Sequence, residues 1–296
     1  LLVAATTEPG LGKRLLDVVD RSSEIYALEL FKNLNIQMGG AMHWAFVLFT
    51  MLFAYRMSRG LVVNTISDIT RHFFVIIGAY GLATNPDLFQ NHIYRLVTQA
   101  PNDFAVVFSN TMASVFNTVY SGEGSNAFRT TAARIRLPET MGGLIDHVYS
   151  EGIKISRIAF SRAGWTEGFA WVMVGMAIAI MSVVFFLFAL PLFFVAKMGL
   201  GIFVGLFPLF MVLFVFEGFG RDLFNGWLRQ IISFIFVLII GAGVLAFAVV
   251  TMIFMSANAS IYATSQGYEP YFEHICIVIT CCYFLNQVPV HAAGLV

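Results

Sequence analysis

Apolar positions in this chain run together rather than alternating with polar ones. Residues 169–216 carry a single charge, Lys197, and residues 230–268 carry none. A soluble fold cannot bury two such stretches, whereas roughly 20 apolar residues suffice to cross the hydrocarbon core of a bilayer. The pattern predicts an all-α, polytopic transmembrane helical protein with about five to six membrane segments.

Upstream of these stretches the pattern changes. Leu15, Leu16, Val18, Val19, Ile25, Leu28, Leu30 and Phe31 recur at roughly helical spacing among charged residues. This predicts an amphipathic N-terminal helix lying on a membrane or on a partner. A first span follows over 39–55, closed by Arg56 and Arg59. The apolar stretch 73–83 is short; it spans by borrowing residues from 61–70 or from Leu88 and Phe89, or it is re-entrant. In the mixed region 84–168, Phe104, Phe108, Met112, Val115, Phe116 and Val119 share one helical face. Ser109, Asn110, Thr111 and Asn117 lie on the other, and Gly122 and Gly124 break the helix. A second helix is expected over 144–160, interrupted at Gly152.

The run 169–196 is longer than a core crossing needs and must tilt, kink at Pro191 or protrude. Lys197, Gly199 and Gly201 are read as a turn, followed by a span over 202–216 that contains Pro208. Residues 217–230 form an amphipathic connector with a Glu217–Arg221 pair. Residues 231–256 are the clearest span, 258–270 a polar loop, and 275–285 a last apolar stretch ending at Asn286, Gln287 and Pro289. The expected domains are 1–38, 39–83, 84–168 and 169–296. The basic residues Arg56, Arg59 and Arg71 put the first loop inside, and with it the N-terminus and the central region outside. Arg221 and Arg229 then fall inside only if 169–216 crosses an odd number of times.

Composition agrees with the pattern and narrows function. Charged residues make up 11% of the chain, against about 25% in ordinary soluble domains. Lys and Arg total 17, as do Asp and Glu, so there is no basic excess of the kind a nucleic-acid clamp carries. Residues 11–35 are too charged for a signal-peptide core. The first residue is Leu, and the natural chain is expected to begin earlier.

Chemistry-bearing motifs are scarce. GxxxxGK[ST] does not occur, so no P-loop is expected. Gly199, Gly201 and Gly205 lie in an apolar stretch without a preceding strand; Gly201 and Gly205 form a small-residue helix-packing pair, and Gly175 with Ala179 a second. The six histidines are scattered, and no Ser-His-Asp set is arguable. Cys276, Cys281 and Cys282 read as small hydrophobes rather than as a metal site. Intramembrane carboxylates of the kind that couple ions are missing from the long spans. No catalytic, cofactor or metal site is expected, and the chain is expected not to be an enzyme.

The segment LFPLFMVLFVFEGFGRDLFNGWLRQIISF, residues 206–234, resembles the TrbL-type polytopic inner-membrane subunit of bacterial type IV secretion systems. In that family a Gly-Pro-Leu-Phe-like core leads into a basic, aromatic turn, then a Trp-Leu pair and another span. The matching residues are Phe207, Pro208, Leu209 and Phe210, then Arg221, Phe224, Trp227 and Leu228. Phe207 replaces the family's glycine, and Gly205 lies two residues earlier. Pro289, with Ala292, Ala293, Gly294 and Leu295, resembles the end of the family's last span; a glycine pair usually follows, so a C-terminal tail is expected beyond this sequence.

The resemblance implies an inner-membrane channel or scaffold component of a conjugation apparatus, supporting pilus assembly and DNA or protein translocation. It implies a homo-oligomeric ring, a pentamer among the options. The partners it implies are a minor pilin or stalk subunit, a bitopic scaffold subunit, a small pilus-assembly subunit, membrane lipid and, transiently, the translocating substrate. The central region 84–168 would be periplasmic. Gly201, Gly205, Phe207, Pro208, Arg221, Phe224, Trp227, Leu228 and Pro289 are the expected structural and assembly residues. The alternative is a small-solute channel or secondary transporter, which predicts inverted repeats; no convincing repeat is present.

Overall fold

The computed structural model describes residues 10–60, 66–120, 140–162, 168–216, 218–261 and 267–296. Among them every regular element is helical. The helices are α1 (Leu11–Ser58), α2 (Ile66–Thr84), α3 (Arg95–Tyr120), α4 (Met141–Ser161), α5 (Gly168–Gly205), α6 (Phe207–Val215), α7 (Phe219–Ile261) and α8 (Glu269–Gly294). A short turn, Pro86–Leu88, and a π-helical segment, Phe89–Tyr94, join α2 to α3.

Among the described residues, four helices are long and apolar enough to cross a membrane: α1, α5, α7 over Phe219–Ser256 and α8 over Tyr271–Gly294. A shorter apolar helix, Phe73–Thr84, lies within α2. The fold is therefore an all-α polytopic membrane protein, as the residue pattern predicts, but its segments are divided differently.

The amphipathic N-terminal stretch and the first span are one helix, α1. Nothing in 36–39 breaks it, because Gly39 and Gly40 are tolerated inside a helix at modest cost. The expected turn at Lys197, Gly199 and Gly201 does not exist; α5 runs through all three. Its 38 residues would extend roughly 57 Å, against a hydrocarbon core of roughly 30 Å. The break comes at Leu206, and Pro208 opens α6 instead of sitting inside a span. Proline suits the first turn of a helix, where its missing N–H is not needed. The nine residues of α6 reach roughly 14 Å, too short to cross.

Three further expectations are corrected. Gly152 does not interrupt α4; a Cβ there would collide with the Ser182 hydroxyl, so glycine serves close helix packing. The amphipathic connector is not separate but forms the first turns of α7, which also continues past 258 to Ile261. The last helix continues through Pro289 to Gly294. On α3 the buried face is Pro101, Ala105 and Ser109, whereas Phe104 and Val115 are exposed. Small side chains allow close approach, and in a bilayer the large apolar face does not have to turn inward. Gly122, Gly124, Glu217, residues 262–266 of the polar loop, and the side chains of Asp68, Arg71, His72, Phe116, Asn117 and Val119 lie outside the described residues.

The chain divides into two compact units, one of Leu1–Val19, Ala100–Ala196 and Phe236–Leu295, the other of Asp20–Gln99 and Lys197–Ile235. In the first, Ile155 and Ala159 of α4, Trp171 and Ile178 of α5, Met255 of α7 and Tyr271 of α8 form one buried cluster. Arg162 lies over the rings of Trp171 and Tyr271, 5.0 and 5.6 Å from their centroids. The Asp146 carboxylate accepts from the N–H groups of Gly12 and Lys13 at 2.7 and 2.8 Å, satisfying two donors that the start of α1 leaves open. The second unit holds most of the residues singled out by their resemblance.

Candidate functional site

In the second unit α1 lies along the final turns of α5. Ser23, Ala27 and Phe31 are buried on α1, spaced four apart and so on one helical face. Gly201 and Gly205 provide the opposing surface. A Cβ on Gly201 would stand 2.8 Å from the Ser23 Cβ, and one on Gly205 3.1 Å from the Ala27 Cα. The Gly201–Gly205 pair is thus covered by α1 of the same chain. One turn before Gly201, Lys197 donates to the Asp20 carboxylate at 2.6 Å. The lone charge of the apolar stretch has a partner 177 residues away in sequence, which removes most of the cost of placing it among apolar groups. Ser23 also hydrogen-bonds Tyr94, whose hydroxyl is pushed up to about 12, mainly by burial and further by Glu24 and Asp20, against the effect of the Ser23 bond.

The break between α5 and α6 creates the second part of the site. A helix end leaves its last carbonyls without intrahelical donors. Trp227, near the start of α7, donates its indole Nε1–H to the Phe203 carbonyl at 2.8 Å. The same ring stacks on Phe210 with centroids 5.0 Å apart and planes 13° from parallel. Phe207 and Phe224 lie 5.9 and 5.4 Å from it. Trp227 is 5% exposed, so this indole proton has exchanged water for the carbonyl. Gly218, between α6 and α7, has a φ of +76°, which favours glycine.

The aromatic contacts continue into the connection between α2 and α3. Phe207 faces Phe89 at 5.6 Å, and Phe89 stacks on Phe31 of α1 at 4.3 Å. The Asn85 side chain caps the turn by accepting from the N–H groups of Asp87 and Leu88. The wider π-helical turn that follows lets Phe89 and Tyr94 both face inward. Elements from α1, the π-turn, α5, α6 and α7 thus converge on one aromatic core, while α2 packs along α6.

Phe207, Pro208 and Trp227 are buried, Phe224 is half-buried, and Arg221 and Leu228 are exposed. The Arg221 guanidinium lies 6.0 Å from the Phe214 ring centroid. Pro289 is exposed on α8, in the first unit, and takes no part in this cluster. Sequence reasoning gave no site role to Asp20 or Tyr94, and took Phe31 and Phe89 only as apolar positions of a helix and of a short span. Lys197 carried a signal for the first, because a lone cation in an apolar helix needs a carboxylate; the aromatic stack had none, in a chain with 31 phenylalanines. His274, fully buried on α8 with neither ring nitrogen hydrogen-bonded, was also missed. Among the described residues no three His, Cys, Asp or Glu side chains converge as metal ligands.

A helix-break carbonyl capped by a tryptophan from the next helix is an arrangement for fixing two membrane segments against each other. No curated protein matches the chain. The model of the family described as TrbL/VirB6 plasmid conjugal transfer protein matches residues 46–288, which include α5, α6, α7 and the whole Trp227 cluster apart from Phe31. The chain belongs to the TrbL/VirB6 plasmid conjugal transfer family and is a multi-pass membrane component of conjugal transfer, that is, of type IV secretion.

Proposed function

We infer that this chain is a non-enzymatic channel or scaffold subunit in the bacterial inner membrane, and that several copies form a ring supporting pilus assembly and the passage of DNA or protein. The family match across most of the chain carries the reading. The Trp227 cluster supports a scaffold role, because within the second unit it joins the end of α5, α6 and the start of α7 with the indole donor satisfied inside it. The central region 84–168 is assigned to the periplasm, where it and the N-terminal helix would meet the stalk subunit, the bitopic scaffold subunit and the small pilus-assembly subunit. The sequence contains no P-loop, so the energy for transfer comes from separate ATPases.

Since Gly201 and Gly205 are covered by Ser23 and Ala27 of the same chain, contacts between copies use other faces. The experiment is an in-frame deletion in the native bacterium, scored for transfer to a recipient and for surface pili. Loss of both, restored by the intact gene, is the expected result. Normal transfer and normal pili in a strain without a second copy would overturn the assignment.

A further inference from the structure

The last helix, α8, carries a line of polar side chains along its exposed side. Glu273, Cys276, Thr280, Tyr283, Gln287 and His291 follow one another three or four residues apart, which places them on one helical face. Gln287 is half-buried and the others are exposed. The opposite face, through Val278, Cys281, Leu285 and Ala292, is buried. Ile279 and Phe284 border the line and are exposed and apolar.

The line runs through the depth of the membrane. The apolar part of α8, Tyr271–Gly294, has 24 residues and extends roughly 36 Å, against a hydrocarbon core of roughly 30 Å. Tyr283 stands at its middle and is 62% exposed; Gln287 follows roughly 6 Å further along the axis. The Thr280 hydroxyl donates to the Cys276 carbonyl at 2.8 Å. The Tyr283 hydroxyl and the Gln287 amide make no hydrogen bond among the described residues. Hydrocarbon offers them none, and polar side chains at this depth face either protein or water.

The long spans of a second copy do not supply the partner. Between Phe169 and Ile202 the exposed side chains of α5 are all apolar, and between Ile231 and Ser256 α7 exposes only Phe247. On α1, Trp44, Leu48, Met51 and Leu52 are exposed across the middle of its span. Any of these faces would leave Tyr283 and Gln287 as unpaired as lipid does. Copies around one axis share an orientation, so α8 laid on α8 would set Glu273 against Glu273. The helix contains neither Lys nor Arg to pair them. Water satisfies the phenol and the amide and solvates the carboxylate.

We propose that this face of α8 lines a water-filled path across the membrane, with Glu273 at one mouth, where a carboxylate favours cations over anions. Placing the path at the centre of a ring rests on the function proposed above. The test is the reaction of single cysteines with charged methanethiosulfonates in native membranes, because the reacting thiolate forms where water reaches it. With Cys281 and Cys282 replaced by alanine, native Cys276 should react. With Cys276 replaced as well, Thr280→Cys and Gln287→Cys should react at least about tenfold faster than Leu187→Cys, which lies on the apolar exposed face of α5. Glu273→Gln should lower the ratio of cationic to anionic reagent rates at Cys276 by about threefold. Rates at positions 280 and 287 no faster than at 187, or a ratio unmoved by Glu273→Gln, would overturn the path. So would disulfide cross-linking of Tyr283→Cys between copies without any labelling, which would identify a second copy as the occupant. The mass of the purified complex separates this proposal from the ring. An oligomer whose thiols stay unlabelled rejects the path and keeps the ring; a monomer labelled at the expected rates keeps the path and rejects the ring.

Discussion

At the scale of single residues, two polar contacts made inside apolar surroundings carry the most information. Trp227 has two separable roles, ring packing and donation to the Phe203 carbonyl. Trp227→Phe keeps an aromatic ring beside Phe210 and removes the donor, leaving a buried carbonyl unpaired. The expected loss is about 1–3 kcal/mol, read as a lower melting temperature of the detergent-solubilised protein. Trp227→Ala also removes the packing, for roughly 3–5 kcal/mol in total, and with it ring assembly and transfer; if both survive, the residue is no anchor. The Lys197–Asp20 pair should respond asymmetrically, because the lysine side chain is 9% exposed and the aspartate 45%. Asp20→Ala strands a buried ammonium and should cost about 2–4 kcal/mol, less than a fully buried pair because water reaches the site from the Asp20 side. Lys197→Met leaves a carboxylate that water can solvate and should cost about 1 kcal/mol or less. Equal melting temperatures for the two variants would show that burial does not set the cost. The sequence made Trp227 and Lys197 conspicuous, one as an interfacial aromatic and the other as a lone charge. It did not show their partners, which lie 24 and 177 residues away.

At the scale of elements, glycine misled the reading twice and informed it once. Gly199 and Gly201 suggested a turn, and Gly152 a helix interruption, yet all three are inside continuous helices. A glycine in an apolar sequence marks either a flexible point or a close crossing, and local sequence does not distinguish them. The Gly201–Gly205 spacing was the better guide, since four-residue separation places both on the face that meets α1. Gly201→Ala puts a Cβ 2.8 Å from the Ser23 Cβ, so the two helices must separate and stability should fall by roughly 1–3 kcal/mol. Gly39→Ala and Gly40→Ala are matched controls with open space around the new methyl. Each should be neutral or stabilising by up to about 1 kcal/mol through helix propensity. Melting curves of the three variants, measured side by side, decide whether the pair is a packing surface. A Gly201→Ala protein as stable as the controls would reject that role. The break at Leu206 was missed for a different reason. Pro208 was visible, but whether a proline kinks a helix or opens a new one depends on where the preceding carbonyls find donors, and here Trp227 supplies one.

At the scale of the whole molecule, the residue pattern established the class at once, because nothing but a bilayer accommodates the uncharged stretches. It left open how often residues 169–216 cross, since apolar composition is uniform through them and only the position of the helix break divides them. That break assigns 38 residues to α5 and nine to α6, and about 20 are needed for one crossing. One crossing is therefore expected, with α6 dipping part way or lying against its neighbours. A single crossing also reconciles the distribution of charge. With Arg56 and Arg59 inside, and α1 and α2 each crossing once, α4 faces outward and one passage through α5 brings Arg221 and Arg229 back inside. Cysteines introduced at Ser161, the end of α4, and at Asp222, near the start of α7, measure this directly; both positions are exposed. In a background with Cys276, Cys281 and Cys282 replaced by alanine or serine, a membrane-impermeant maleimide applied to right-side-out vesicles should label Ser161→Cys and spare Asp222→Cys. Inverted vesicles should give the opposite result. Labelling of both from one side would mean that 169–216 crosses an even number of times, and the loop after α7 would then change sides with it. Labelling of Ser161→Cys only in inverted vesicles would place the central region in the cytoplasm and end its assignment as the surface that meets the stalk.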